Sequence, residues 1–178
     1  MKCIKIITDQ DLNLETFSFN NPKIRKGARG IVINNDGKIA VFHKSNKNEY
    51  KLPGGGIELG ESPKEAFKRE ILEETGCEVE IIKELGTIEE HKSKDNFQQV
   101  SYIFVSKVTK NTNQLYLTDK EKDEGAKLLW KNENEALQLI TDCYEKLIPS
   151  KYEDVYHTKF IVTRDRMILQ YYIDNKNK

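Results

Sequence analysis

Apolar residues along the chain fall into short β-branched runs broken by Asn, Asp and Gly, and into longer stretches where they recur every three or four positions. From Met1 to Lys26 the runs alternate with Asn, Asp and Pro22, which predicts one or two strands and a loop. Ala28 to Asn34 and Lys38 to His43 flank Asn35-Asp36-Gly37, the pattern of a hairpin. Cys77 to Ile82, Gln99 to Val108 and Lys127 to Lys131 have strand composition, with polar segments such as Glu90 to Asn96 between them. The sharpest element is a helix from Ser62 to Thr75. Ser62, Pro63 and Glu65 set an N-cap, a first-turn proline and a capping-box glutamate, and Gly76 ends it. Ala136, Leu139, Ile140, Cys143 and Leu147 form a helical stripe within Glu135 to Leu147. Ile161, Ile168, Leu169 and Tyr172 form another, and both read as packing helices. The polar tail Asn175 to Lys178 is expected to fray.

Strands and helices thus mix along 178 residues, a length for one domain with decorations. Lys plus Arg (29) equals Asp plus Glu (29), so the overall charge suggests no surface for long nucleic acid or anionic membrane. A polyanionic partner would be small and locally handled. Cys3, Cys77 and Cys143 lack the spacing of zinc ligands or a redox dithiol, and their odd number argues against a disulfide framework; a cytoplasmic setting fits. The opening MKCIKIITDQDLNLE reads as an edge strand, not as a secretory signal or membrane span.

The candidate chemistry lies on the Ser62–Thr75 helix. Glu70, Glu73 and Glu74 fall within an arc of roughly 100°, while Phe67 and Ile71 supply an apolar stripe to anchor them. Glu70 and Glu74 repel at their spacing by about 0.2–0.5 kcal/mol, a sign that a bound cation would reverse. Carboxylate oxygens in this number suit Mg²⁺, which completes its shell with water and phosphate oxygens. The other reading is a solvated acidic face offset by Lys64, Lys68 and Arg69. The preceding Leu52-Pro53-Gly54-Gly55-Gly56 tips the balance towards a ligand site, because glycines permit close approaches that side chains block.

Gly55 to Cys77, GGIELGESPKEAFKREILEETGC, resembles the Nudix box. Gly55, Glu61, Arg69, Glu70, Ile71, Glu73, Glu74 and Gly76 stand where that box requires them; Cys77 replaces the usual aliphatic residue. The resemblance implies an α/β fold, the Nudix α/β/α sandwich with a mixed sheet between helices. Residues 28–147 would form it, 1–27 would extend the same domain, and 148–178 would be a helical extension packed on it. It implies a pyrophosphohydrolase with Mg²⁺ as cofactor, Mn²⁺ being possible. Glu70 and Glu74 would be the principal metal ligands, Glu73 a further or water-mediated one, and the Gly54 carbonyl an additional oxygen. Arg69 would orient Glu70, and Glu61 would be a supporting residue. Glu124 in DEGAKLLW would be the catalytic acid entering from a mobile loop, with Glu121 and Asp123 as competitors; a solvated charged loop is the other reading.

Towards substrate, His43 and Lys44 stand at a strand end where a cation could meet phosphate or face solvent. Arg29 could contact phosphate or join a salt bridge, Gly54 and Gly55 would border the substrate, and Trp130 could edge a base pocket or pack in the core. His91 and His157 read as ordinary surface residues. The LPGGGIE lead-in resembles the branch that cleaves nucleoside triphosphates, typified by 8-oxo-dGTP diphosphatases. The alternatives are an ADP-ribose or nucleotide-sugar pyrophosphatase, an RNA 5′-pyrophosphohydrolase and a non-catalytic nucleotide sensor. The expected partner is a small nucleotide or nucleoside diphosphate derivative; the oligomeric state is left open.

Overall fold

Successive residues of the central strands alternate between two buried layers, and this alternation organises the fold. The computed structural model describes residues 1–177, so Lys178, the last position of the expected tail, lies outside the described residues. The strands are β1 (Cys3–Thr8), β2 (Lys23–Ile33), β3 (Ile39–Lys44), β4 (Glu49–Lys51), β5 (Gly54–Gly56), β6 (Cys77–Lys92), β7 (Phe97–Asn111) and β8 (Ala126–Lys131). The helices are α1 (Pro63–Thr75), α2 (Asp119–Asp123), α3 (Glu133–Asp142) and α4 (Val155–Asn175). Sheet order is β1-β6-β7-β2-β3-β4, with β5 also on β2 and β8 also on β3. The sheet is mixed: β1 runs parallel to β6 and β2 parallel to β7, whereas β2–β5, β3–β8 and β6–β7 are antiparallel.

Ile31, Val41, Ile103 and Val105 face a layer with Ala136 and Ile140 of α3 and Phe160, Ile168 and Leu169 of α4. Their neighbours Val32, Ala40 and Phe104 face the other way, onto Ala66, Phe67 and Ile71 of α1. The expected α/β/α sandwich follows from this two-sided burial, which gives central strands nearly continuous apolar runs. Helix α1 begins and ends where its sequence marks it. Ser62 and Glu65 form the reciprocal capping box, and Gly76 closes the helix at φ 67°.

Several elements depart from the pattern. The strands flanking Asn35-Asp36-Gly37 pair at Ile33 and Ile39, then diverge, because β2 takes the glycine strand β5 as neighbour and β3 takes β8. Strand β6 runs through Glu90 and Lys92, residues expected in a polar connection. It can do so because Glu90, fully buried, is neutralised by Arg164 at 2.8 Å and Lys92 at 3.2 Å. The expected Glu135–Leu147 helix stops at Asp142 and continues as a 3₁₀ turn over Tyr144–Lys146. Helix α2, unforeseen, is nucleated by a Thr118–Glu121 capping box. Strand β2 begins at Lys23, inside the segment 1–27. Among the described residues, no helix is long and apolar enough to cross a membrane.

Candidate active site

Glycine is what lets the box carboxylates reach the sheet. A Cβ on Gly55 would lie 2.4 Å from the Glu70 carboxylate, so Glu70 rests directly on β5. Gly54, at φ 133°, abuts Arg29 and the Ala28 carbonyl, and its N–H donates to Glu74 Oε2 at 2.7 Å. Glu74 Oε1 receives the Lys51 ammonium at 2.9 Å. Burial pushes both the Glu70 and Glu74 carboxyls above the usual carboxylate range, against Arg69 in one case and Lys51 in the other.

Arg69 is the organiser behind this pair. Its Nε and Nη2 grip Glu61 at 2.8 and 3.0 Å, its Nη2 also donates to the Gly56 carbonyl at 2.9 Å, and its Nη1 donates to Glu70 at 2.9 Å. The guanidinium thereby ties the loop before α1, the glycine strand and the Glu70 carboxylate into one unit, using the planar fork a lysine lacks. Glu73 accepts from Arg69 at 3.3 Å and is 39% exposed.

Glu70 and Glu74 open into a cleft of about 460 Å³ whose other walls are β2, β4, β7 and the start of α4. Lys23, Arg25 and Arg29 enter it from alternate positions of β2, and none has an acidic partner within ion-pair distance among the described residues. Arg29, buried, hydrogen-bonds Ser101 at 3.2 Å, and burial together with nearby Arg164 lowers its pKa to about 10. It therefore stays charged at neutral pH. Cations facing carboxylates across one cleft suit a polyanion held with a divalent ion.

The structure brings together Glu70, Glu74, Gly54, Gly55, Arg29 and Lys44 in this cleft. His43 does not join them. Neighbours on a strand point to opposite faces, and His43 stacks on Tyr50 with ring centroids 4.0 Å apart while Lys44 enters the cleft. Glu124 differs from expectation too. It is 2% exposed, binds Lys44 at 2.7 Å and Ser150 at 2.7 Å, and so stands behind the cleft as a brace for Lys44. Glu121 lines the cleft instead and bears electrostatically on Glu74. Trp130 packs at the edge of the α1 core layer. His157 reaches the cleft rim but is held by Asp95 and Asp154, each at 2.7 Å.

Sequence reasoning missed Lys51, Lys23, Arg25 and the contribution of α4. Asp165 of that helix accepts the Leu52 N–H at 2.9 Å and pairs with Arg164 at 2.8 Å, holding the chain just before Pro53. The signal was the Arg164-Asp165 doublet, a charged pair inside the apolar run of a helix assigned only to packing.

The donor chemistry of the site suits a divalent cation. Glu70, Glu74 and the Gly54 carbonyl are hard oxygen donors, and the burial that pushes the two carboxyls up holds them away from bulk water. Among the described residues no set of three His, Cys, Asp or Glu side chains forms a finished cage. The fit is to an ion that keeps water and substrate oxygens in its shell.

The chain matches the NUDIX domain family over residues 23–150. It is 34% identical over 84 residues to a putative 8-oxo-dGTP diphosphatase of Bacillus subtilis (strain 168), covering 47% of this chain and 54% of that protein. It is 34% identical over 86 residues to an RNA pyrophosphohydrolase of Bartonella quintana (strain Toulouse), covering 43% of this chain and 47% of that protein. The chain thus spans about half the length of these curated relatives. A NUDIX hydrolase from Nitrosomonas europaea superposes with a TM-score of 0.54 at 19% identity, over 70% of this chain and 91% of that one, a likeness of fold. With its family match extending from the start of β2 past α3, and the box residues assembled on one cleft, the chain belongs to the NUDIX domain family.

Proposed function

We propose that the protein is a Mg²⁺-dependent pyrophosphohydrolase that cleaves a phosphoric anhydride in a nucleoside diphosphate derivative. The observation that carries this reading is the meeting of Glu70 and Glu74 with the Gly54–Gly56 strand at the base of a cation-lined cleft. Glu70, Glu74 and the Gly54 carbonyl would hold the metal, with Glu73 reaching it through water. Bound there, Mg²⁺ would neutralise the diphosphate and lower the pKa of a water for attack at phosphorus.

The chain's own residues supply the rest. Arg69 fixes the Glu70 carboxylate through Nη1 while its other nitrogens are anchored on Glu61 and Gly56, so Glu70 is positioned before substrate arrives. Arg29 and Lys44 draw phosphate oxygens into the cleft and stabilise charge on the leaving phosphate. Glu121, at the cleft on the short helix α2 whose first turn it caps, would be the acid outside α1 that takes a proton from the attacking water.

For the substrate, the LPGGGIE lead-in and the likeness to a putative 8-oxo-dGTP diphosphatase support a (deoxy)nucleoside triphosphate, an oxidised one included. A second reading, the 5′-triphosphate end of RNA, is favoured by the β2 cations. Lys23, Arg25 and Arg29 extend over roughly 20 Å at strand rise, longer than a triphosphate needs. The deciding experiment offers nucleoside triphosphates, oxidised nucleotides, ADP-ribose, a nucleotide sugar and a 5′-triphosphorylated oligoribonucleotide, and identifies every product. A nucleoside monophosphate plus pyrophosphate from a triphosphate is expected. Metal-dependent release from none of them would overturn the reading.

A further inference from the structure

Lys51 occupies an unusual position in the site. Its ammonium, nearly excluded from solvent, touches Glu74 Oε1 at 2.9 Å, while the second Glu74 oxygen takes the Gly54 N–H. The carboxylate proposed to bind metal thus already has a partner on each oxygen, backbone on one and a cation from β4 on the other. A divalent ion on Glu74 would face that ammonium across a single carboxylate, in a low-dielectric pocket where like charges interact strongly. Metal binding there is therefore favoured when Lys51 moves away.

A destination lies on the same strand. Glu49 is two residues away from Lys51 and so on the same face of β4, lines the same cleft, and is fully buried. Apart from an ion pair to Lys47, its oxygens have no partner among the described residues. Its ion-pair neighbour, Lys47 at 2.8 Å, is shared with Glu153 at 2.5 Å, so two carboxylates depend on one ammonium. That trio is one positive charge short. The Lys51 ammonium also lies over the Phe42 ring, 5.0 Å from its centroid.

Resting on the metal assignment made above, we propose that Lys51 is a displaceable counter-cation: it neutralises Glu74 in the metal-free protein and moves to Glu49 when a divalent ion takes its place. The metal-free site stays folded and charge-balanced, and metal affinity is set by the cost of displacing one lysine. Lys51 is a positioning residue in this account, since it acts through Glu74.

The test uses the full chain without substrate, titrated with Mn²⁺, the free ion being read by electron paramagnetic resonance. Lys51→Met should bind Mn²⁺ at least about fivefold more tightly than the wild type, because no resident cation must leave. Its melting temperature should also rise more on adding Mn²⁺. In the unaltered protein, Mg²⁺ should weaken nuclear Overhauser contacts between Lys51 Hε and Glu74 Hγ and create contacts to Glu49 Hγ, a readout independent of whether the variant folds. Unchanged or weaker Mn²⁺ binding by a folded Lys51→Met, or Lys51 contacts unmoved by Mg²⁺, would overturn the proposal while leaving the metal site standing. No Mn²⁺ binding by the wild type would overturn both.

Discussion

Gly55 and Glu70 are in van der Waals contact, backbone against carboxylate, with no room for even a methyl group between them. The nearest atoms belong to the far end of a flexible side chain, so an added Cβ displaces the carboxylate and not the backbone. Gly55→Ala should therefore lower metal-dependent turnover at least about tenfold while the melting temperature changes little. Gly30→Ala is the contrast. Its Cβ would lie 1.9 Å from the backbone oxygen of Phe104, and the variant should lose stability. Melting curves and kcat for both variants check this, and equal activity of Gly55→Ala and wild type would contradict the placement of Glu70.

The acid outside α1 is decided by three variants. Glu121→Gln should reduce kcat with little effect on KM, because Glu121 lines the cleft. Glu124→Gln should chiefly raise KM, because it loosens Lys44, which reaches the cleft and depends on Glu124 at 2.7 Å. Asp123→Asn, whose carboxylate is tied to Lys151 and Tyr152 at the surface, should be near normal. A kcat loss confined to Glu124→Gln would restore the expectation drawn from the DEGAKLLW segment.

Helix α4 should prove inseparable from the domain. Asp165 joins Arg164 to the Leu52 N–H in the buried interior, so Asp165→Ala leaves that N–H without an acceptor and Arg164 with Glu90 as its ion-pair partner. Leaving a buried donor unsatisfied costs about 1–3 kcal/mol, and the lost ion pair adds to it. Chemical denaturation measures it, and a loss under about 1 kcal/mol would show that α4 does not hold the glycine loop.

Acid sensitivity has a local source at the start of α4. Burial works to raise the Asp154 carboxyl, but the His157 N–H, Lys94 and the His157 ring together hold it down to about 2. A carboxyl depressed in the folded state gives stability that is present above its unfolded value near 3.8 and is lost as pH falls towards 2. Asp154→Asn keeps an N-cap and removes the charge, so its melting temperature should fall less steeply than the wild type's between those limits. Parallel slopes would assign the acid sensitivity elsewhere.

The elements readable from the sequence were those specified by neighbouring residues. Helix α1 carries its cap, proline and terminating glycine within its own span, and the box acids share its face by periodicity alone. What escaped was set by distant partners. Glu90 and Lys92 look like a polar loop until Arg164, far along the chain, neutralises Glu90 and lets β6 continue. Lys51 of β4 and Glu74 of α1 meet across 23 residues of chain, which local pattern does not report. Glu124 and Glu121 could not be told apart by composition, since Glu121 on α2 lines the cleft while Glu124, just past the helix end, is buried on Lys44. His43 failed for a simpler reason. Strand parity gives one of two adjacent residues to the cleft, and which one depends on the face chosen by β3.

The central claim is that Glu70 and Glu74 hold a divalent metal for anhydride cleavage, and the most direct measurement is the Mg²⁺-dependent turnover of Glu70→Gln on the best substrate from the panel, with folding checked by melting temperature. The account predicts a folded protein whose turnover is at least about a hundredfold lower, since a charged ligand oxygen is lost while Arg69 remains anchored on Glu61. Turnover within about twofold of wild type at saturating Mg²⁺ would contradict it.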